Sequence, residues 1–203
     1  MKLFATIAAS AAILTAAPAI AGDAPAKPAP TTNSFSFETG TEYKVSNDKY
    51  ADLYVKGGIS HTYANGIIWG GSFQQVWKTG LSQQELLETT LGYNFKLNPV
   101  FTATTSGGLG YQWSSVDQAP AQNFGYYVFN AGLNAKVSPK VTWTVISGRW
   151  RDAFVGGWET PKLSTSISYA WAPASQVFFS YGYGWKNGVA DKYSYALGMK
   201  LAF

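Results

Sequence analysis

An all-β, antiparallel up-and-down transmembrane barrel of about ten strands is the fold this sequence predicts. Three observations predict it. From Ser34 onward bulky and polar residues alternate with period two, the mark of a strand with two unlike faces. Beyond the N-terminal stretch there is no run of roughly 20 apolar residues that could cross a bilayer as a helix. The bulky face also carries aromatics at both strand ends with aliphatic residues between them, as two bilayer interfaces select. Charged residues are only 13% and aromatics 16% of the 203 residues, whereas a soluble domain carries about 25% charge. Lipid cannot satisfy open backbone groups, so strands that face it must close on themselves.

The chain begins with Lys2, an apolar small-residue stretch from Leu3 to Ala17, and Ala19-Ile20-Ala21. This is the pattern of a secretory signal peptide over residues 1–21, cleaved after Ala21. Residues 22–33, GDAPAKPAPTTN, are rich in Pro and Ala and lack apolar periodicity, which predicts a periplasmic linker. Residues 34–203 are the predicted barrel, and export of such a chain points to the outer membrane of a Gram-negative bacterium.

The first strand alternates Phe35, Phe37, Thr39, Thr41, Tyr43 and Val45 with Ser36, Glu38, Gly40, Glu42 and Lys44. The second runs through Leu53, Val55, Gly57, Ile59, His61 and Tyr63, and Asn65-Gly66 predicts a two-residue hairpin with positive φ at both positions. The third carries Ile67, Trp69, Gly71, Phe73, Gln75 and Trp77, before a polar loop over 79–84. Leu87 to Lys96 forms the fourth, Asn98-Pro99 the next turn, and Phe101 to Trp113 the fifth. After a polar loop over 114–123 come Tyr127 to Val137, the turn Ser138-Pro139-Lys140, and a seventh strand from Val141. A loop near 152–160 precedes the last three strands, Leu163 to Trp171, Val177 to Trp185 and Tyr193 to Phe203, with a final loop over 187–191. Ten is even, as bacterial single-chain barrels require; twelve is the alternative count. The turns near 64–66, 98–99, 138–140 and 172–175 are predicted short and periplasmic, and most others longer and external. The periplasmic girdle would hold Tyr63, Trp69, Phe95, Phe101, Trp143, Trp171 and Phe203. The outer girdle would hold Tyr43, Trp77, Trp113, Tyr127, Trp185 and Tyr193.

The opposite parity defines the lumen. Its basic residues are Lys44, Lys56, Lys78, Lys96, Lys136, Lys162, Lys186, Lys192 and Lys200; its acids are Glu38, Glu42, Asp52 and Glu88, placed where they could pair with Lys44 and Lys56. The other inward positions are read as small or polar, with Gly58, Gly70, Gly92, Gly132, Gly182, Gly184 and Gly198 leaving space. A mostly positive wall favours anions. Arg149 and Arg151 are the only arginines. Strict alternation from Val141 would aim both at lipid, which membrane depth disfavours. Either a bulge near Gly148 turns them inward, to contact an anion, or they snorkel to lipopolysaccharide phosphates at the outer rim.

Three stretches carry a family resemblance. ISHTYANGIIWGGSFQQVWK (59–78) contains a His-x-aromatic-Ala-Asn-Gly turn in His61, Tyr63, Ala64, Asn65 and Gly66; YNFKLNPVFTATTSGGLGYQ (93–112) supplies a second hairpin; Arg149-Trp150-Arg151 forms an arginine-aromatic-arginine strand. These resemble the oligogalacturonate-specific porins over part of the barrel. The resemblance implies a small monomeric barrel with an arginine-lined lumen for acidic oligosaccharides. That family has twelve strands and many lumen arginines, whereas this chain shows ten strands and two arginines.

No enzyme is expected. His61 is the sole histidine and faces lipid at the periplasmic end, so no triad or metal site can be assembled around it. With no cysteine, thiolate metal sites and disulfides are excluded, and no cofactor is implied. The net charge of +4 is too small and dispersed for nucleic acid. The sequence therefore predicts a porin-like barrel passing small, mainly anionic solutes by passive diffusion. The rival is a closed structural envelope barrel with a plugged lumen. Expected partners are outer-membrane lipid, lipopolysaccharide, small solutes and, through the terminal strand ending at Phe203, the barrel-assembly machinery, with a monomer favoured.

Overall fold

The computed structural model describes residues 31–79, 82–115 and 123–203. The predicted signal peptide and residues 22–30 of the predicted linker lie outside them. Ten antiparallel strands follow one another around a closed barrel: β1 (Thr32–Lys44), β2 (Tyr50–Thr62), β3 (Ile67–Lys78), β4 (Ser82–Lys96), β5 (Phe101–Ser115), β6 (Phe124–Lys136), β7 (Val141–Ala153), β8 (Lys162–Ala172), β9 (Ser175–Lys186) and β10 (Val189–Ala202). β1 pairs with β10 from Ser34↔Ala202 to Lys44↔Lys192, which removes both sheet edges. Asn33 and Phe203 extend this seam by exchanging backbone hydrogen bonds at 3.1 and 3.0 Å. Strands of 11–15 residues reach or exceed the roughly 9–11 that cross a bilayer when tilted.

The barrel is apolar outside. Leu91, Leu109, Ile167 and Leu197 are each more than half exposed. Trp69, Phe95, Trp143 and Trp171 are exposed towards the end holding the termini, and Trp77 and Trp113 towards the other. An apolar surface on every side would be untenable in water and is what a lipid-facing wall requires.

The short connections are set by side chains. Asn98 Oδ1 accepts from the N–H groups of Val100 and Phe101 at 2.8 and 2.7 Å, and Ser138 Oγ accepts from that of Val141 at 3.0 Å. The Asn65-Gly66 hairpin differs from expectation. Only Gly66 has positive φ (93°), and the Gly66 N–H closes a four-residue turn onto the Tyr63 carbonyl at 2.9 Å. A tight turn followed by a left-handed glycine satisfies the register with one positive φ. Gly66→Ala is expected to cost about 1–2 kcal/mol, read as a lower urea midpoint of the folded barrel. The two-residue turn with both φ positive lies at Asn187-Gly188 (50° and 81°). Because β10 starts at Val189 and β4 at Ser82, the loops expected over 187–191 and 79–84 are shortened, and short connections occur at both ends.

The interior is more filled than the alternation implied. Inward-facing Tyr54, Val76, Leu86, Tyr126, Val128 and Ala196 form a buried apolar cluster, with Phe124 and Trp158 packed against it. The reading of the remaining inward positions as small or polar is thus corrected at Val76, Leu86 and Val128. Inward glycines also do not simply leave space. Gly40, Gly110 and Gly198 lie directly across from Tyr54, Tyr126 and Phe178. A Cβ on any of them would approach the opposing ring within 2.2–2.6 Å. Each glycine is occupied by an aromatic ring.

Candidate permeation pathway

Two chambers in the lumen are lined by described residues. One, of about 480 Å³, lies towards the loop end and is lined by Glu38, Glu42, Asp52, Tyr54 and Trp158 among others. The second, of about 250 Å³, lies towards the termini and is lined by Ser34, Ser36, Ser60, Ser72 and Thr90 among others. That half carries paired hydroxyls and amides: Ser34 with Ser60 at 2.7 Å, Thr104 to Asn94 at 2.7 Å, Asn130 to Ser106 at 3.1 Å, and Thr144 to Asn134 at 2.8 Å.

The charged groups crowd the waist and the loop-end chamber. β7 brings in both arginines, and a bulge is the reason. Thr144 pairs with Ser166 and Ser147 with Ser164, so Val145 and Ile146 together oppose one residue of β8. One extra residue flips the parity of everything after it. Ile146 and Trp150 therefore face out, and Ser147, Arg149 and Arg151 face in; Trp150 stacks on Phe129 at 6.0 Å. The bulge falls just before Gly148. The rim contact to lipopolysaccharide is excluded by this geometry, because Arg151 is buried inside and Arg149 borders both chambers.

Arg151 reaches across the lumen to β4. Its Nε meets Glu88 Oε1 at 2.5 Å, Tyr126 donates to the same oxygen at 3.0 Å, and the guanidinium lies 5.7 Å from the Tyr126 ring centre. On the β1 side, the Tyr54 hydroxyl donates to Glu38 Oε1 at 2.6 Å. Lys192 binds Glu42 at 3.2 Å and also Asp52, while Lys162 approaches Glu42 at 4.0 Å.

These pairings differ from those expected from strand proximity in sequence. The acids Glu42, Asp52 and Glu88 take their cations from Lys192, Lys162 and Arg151, not from Lys44 and Lys56. Barrel closure places β10 beside β1, and the bulge aims β7 across at β4. Lys56, Lys78, Lys162, Lys186, Lys192 and Lys200 line the chambers. Lys44, Lys96 and Lys136 correct the expectation: they end β1, β4 and β6, are exposed at the rims, and border neither chamber. A long flexible side chain at a strand end extends to solvent. Asp191 at the mouth joins the lining. Among the described residues, eight cations and five carboxylates border the two chambers.

The sequence reading missed Tyr54, Tyr126, Phe178 and Trp158 as lumen-filling groups. For the first three a signal existed, an inward aromatic opposite an inward glycine. Trp158 had none, because it arrives from the β7–β8 connection, packing at 5.0 Å on Phe124 and 5.2 Å on Tyr126.

No protein-family model matches the chain, and no curated protein sequence matches it. Solved structures match in fold. An outer membrane channel from Pseudomonas putida F1 aligns with a TM-score of 0.54 at 10% identity, over 91% of this chain and 100% of that one. The β-domain of the Bordetella autotransporter BrkA aligns with 0.51 at 10% identity, over 85% and 99%. A KdgM porin solved with disordered oligogalacturonate aligns with 0.42 at 15% identity, over 83% and 99%. This chain has the closed antiparallel fold of outer-membrane β-barrels.

Proposed function

We propose that the protein is a narrow outer-membrane channel for small anions. The observation that carries this reading is the pair of lumen chambers that share Lys56 and Arg149 within a wall that holds, among the described residues, eight cations and five carboxylates. A fixed positive excess in a confined, poorly screened path favours anions over cations. The apolar exterior supports membrane insertion, and the terminal strand running to Phe203 would serve its assembly. The fold itself does not choose a role, since barrels of this kind serve both channels and autotransporter domains. Conduction is expected to be small, because Tyr54, Tyr126 and the Arg151–Glu88 pair fill part of the barrel interior.

A closed structural barrel is the second reading. It is favoured by the buried cluster of Tyr54, Val76, Leu86, Tyr126 and Val128 inside the loop-end half. Single-channel recording of the refolded protein in a planar bilayer separates the two. Discrete low-conductance steps are expected, and a zero-current potential in a tenfold KCl gradient should take the sign of chloride preference. Cation preference would overturn the anion reading; a folded, heat-modifiable but silent barrel would establish the closed one.

A further inference from the structure

Two residues, Lys56 and Arg149, border both chambers. They are the two side chains that the chamber walls share. Neither has a carboxylate within 4.0 Å among the described residues, and the buried Nε of Arg149 has no hydrogen-bond partner.

The nearby acids are committed elsewhere. Glu88 is held by Arg151 and Tyr126, Glu38 accepts from Tyr54, and Glu42 is shared by Lys192 and Lys162. Two like charges left together in a confined interior are costly, and each favours a counter-charge. The guanidinium offers a planar fork that fits two oxygens of one anion, and the ammonium adds a mobile point charge. Each of these carboxylates is already drawn to another side chain, and none comes within 4.0 Å of Lys56 or Arg149 among the described residues.

We infer that Lys56 and Arg149 form a binding site for a single small oxyanion, such as sulfate, phosphate or a carboxylate, at the waist of the lumen. The site deepens the channel reading by naming where an anion would pause. As a binding site it stands on the two side chains alone.

The test uses the folded barrel in detergent, with sulfate or phosphate at low millimolar concentration and ionic strength held constant with chloride. The temperature of its heat-dependent electrophoretic shift is the readout. A saturable rise is expected, about 3 °C or more at ten times the half-saturating concentration. Arg149→Gln and Lys56→Gln should abolish it, whereas Lys96→Gln at the rim should retain it. Arg149→Lys keeps the charge without the fork and should raise the half-saturating concentration about tenfold; with Lys56→Gln it carries the test if Arg149→Gln fails to fold. No saturable rise, or a rise that persists in the Arg149 and Lys56 variants, overturns the site. Failure of the channel reading is distinct: a bilayer-silent protein that still shows the saturable rise retains the site, and a conducting protein without it loses the site only.

Discussion

Glu88→Ala is expected to destabilise the barrel by about 3–5 kcal/mol, because it strips a buried guanidinium of its counter-charge. Arg151 Nε and the Tyr126 hydroxyl both converge on one Glu88 oxygen. Removing the carboxylate leaves the cation and a phenol without that partner in an interior where water cannot freely replace it. Urea unfolding of the barrel in lipid vesicles measures the loss. Arg151→Ala should cost a comparable amount, leaving the carboxylate exposed to the opposite imbalance. The double variant Glu88→Ala/Arg151→Met should recover much of the stability, since an apolar replacement removes both desolvation costs. If the single variants unfold at the wild-type urea concentration, the cross-lumen pair contributes nothing to holding the barrel. Channel recordings add a second readout: loss of Glu88 raises the positive excess at the waist, so chloride preference should increase.

Tyr126→Ala is expected to lower stability by about 3–5 kcal/mol and to raise single-channel conductance several-fold. The ring is fully buried, packs with Trp158 and Phe124, and lies over Gly110. Its removal opens space behind Arg151 and Trp158, which line the loop-end chamber, and frees both side chains to move back from it. The ring-over-glycine contact has its own signature. A Cβ at Gly110 would lie 2.3 Å from the Tyr126 ring, so Gly110→Ala alone should cost about 1–3 kcal/mol through overpacking. In the Tyr126→Ala background the same substitution should be nearly neutral, a coupling that a double-mutant cycle reads directly. Additive effects would show that the glycine is chosen for some other reason. Unchanged conductance in Tyr126→Ala would place the narrowest point elsewhere, with Tyr54 over Gly40 as the next element to remove.

Much of the fold was legible because its signal is local. Alternation at Phe35–Lys44 or Phe101–Trp113 records, residue by residue, which side of a strand meets lipid. The Asn98 and Ser138 turns were visible because one side chain satisfies the backbone within three residues. The local signal erred where two local solutions compete. Asn65-Gly66 could serve a two-residue turn or a four-residue turn ending in a left-handed glycine, and the choice depends on how β2 and β3 align. Asn187-Gly188 took the two-residue form instead because β10 extends back to Val189.

The candidate site was less legible. Parity assigned Lys56, Lys162 and Lys192 to the inner wall but could not distinguish a lysine that borders a chamber from one at a strand end, such as Lys44, Lys96 or Lys136. Arg149 and Arg151 depended on the single inserted residue at Val145–Ile146. The resemblance of 149–151 to an arginine-aromatic-arginine strand pointed to inward arginines without supplying the bulge.

The sequence alone therefore determined an all-β chain of ten alternating strands, an apolar outside with aromatic ends, and an interior holding more cations than acids. Those properties follow from the period-two backbone and from lipid as the outer solvent, and both act on each strand separately. Only the tertiary structure decided which acid meets which cation, which glycine receives a ring, and how far the lumen is filled. Closure sets β10 beside β1, and side chains from β4 and β7 meet across the interior. Contacts of that kind depend on barrel circumference and on one bulge, neither of which leaves a periodic trace in the chain.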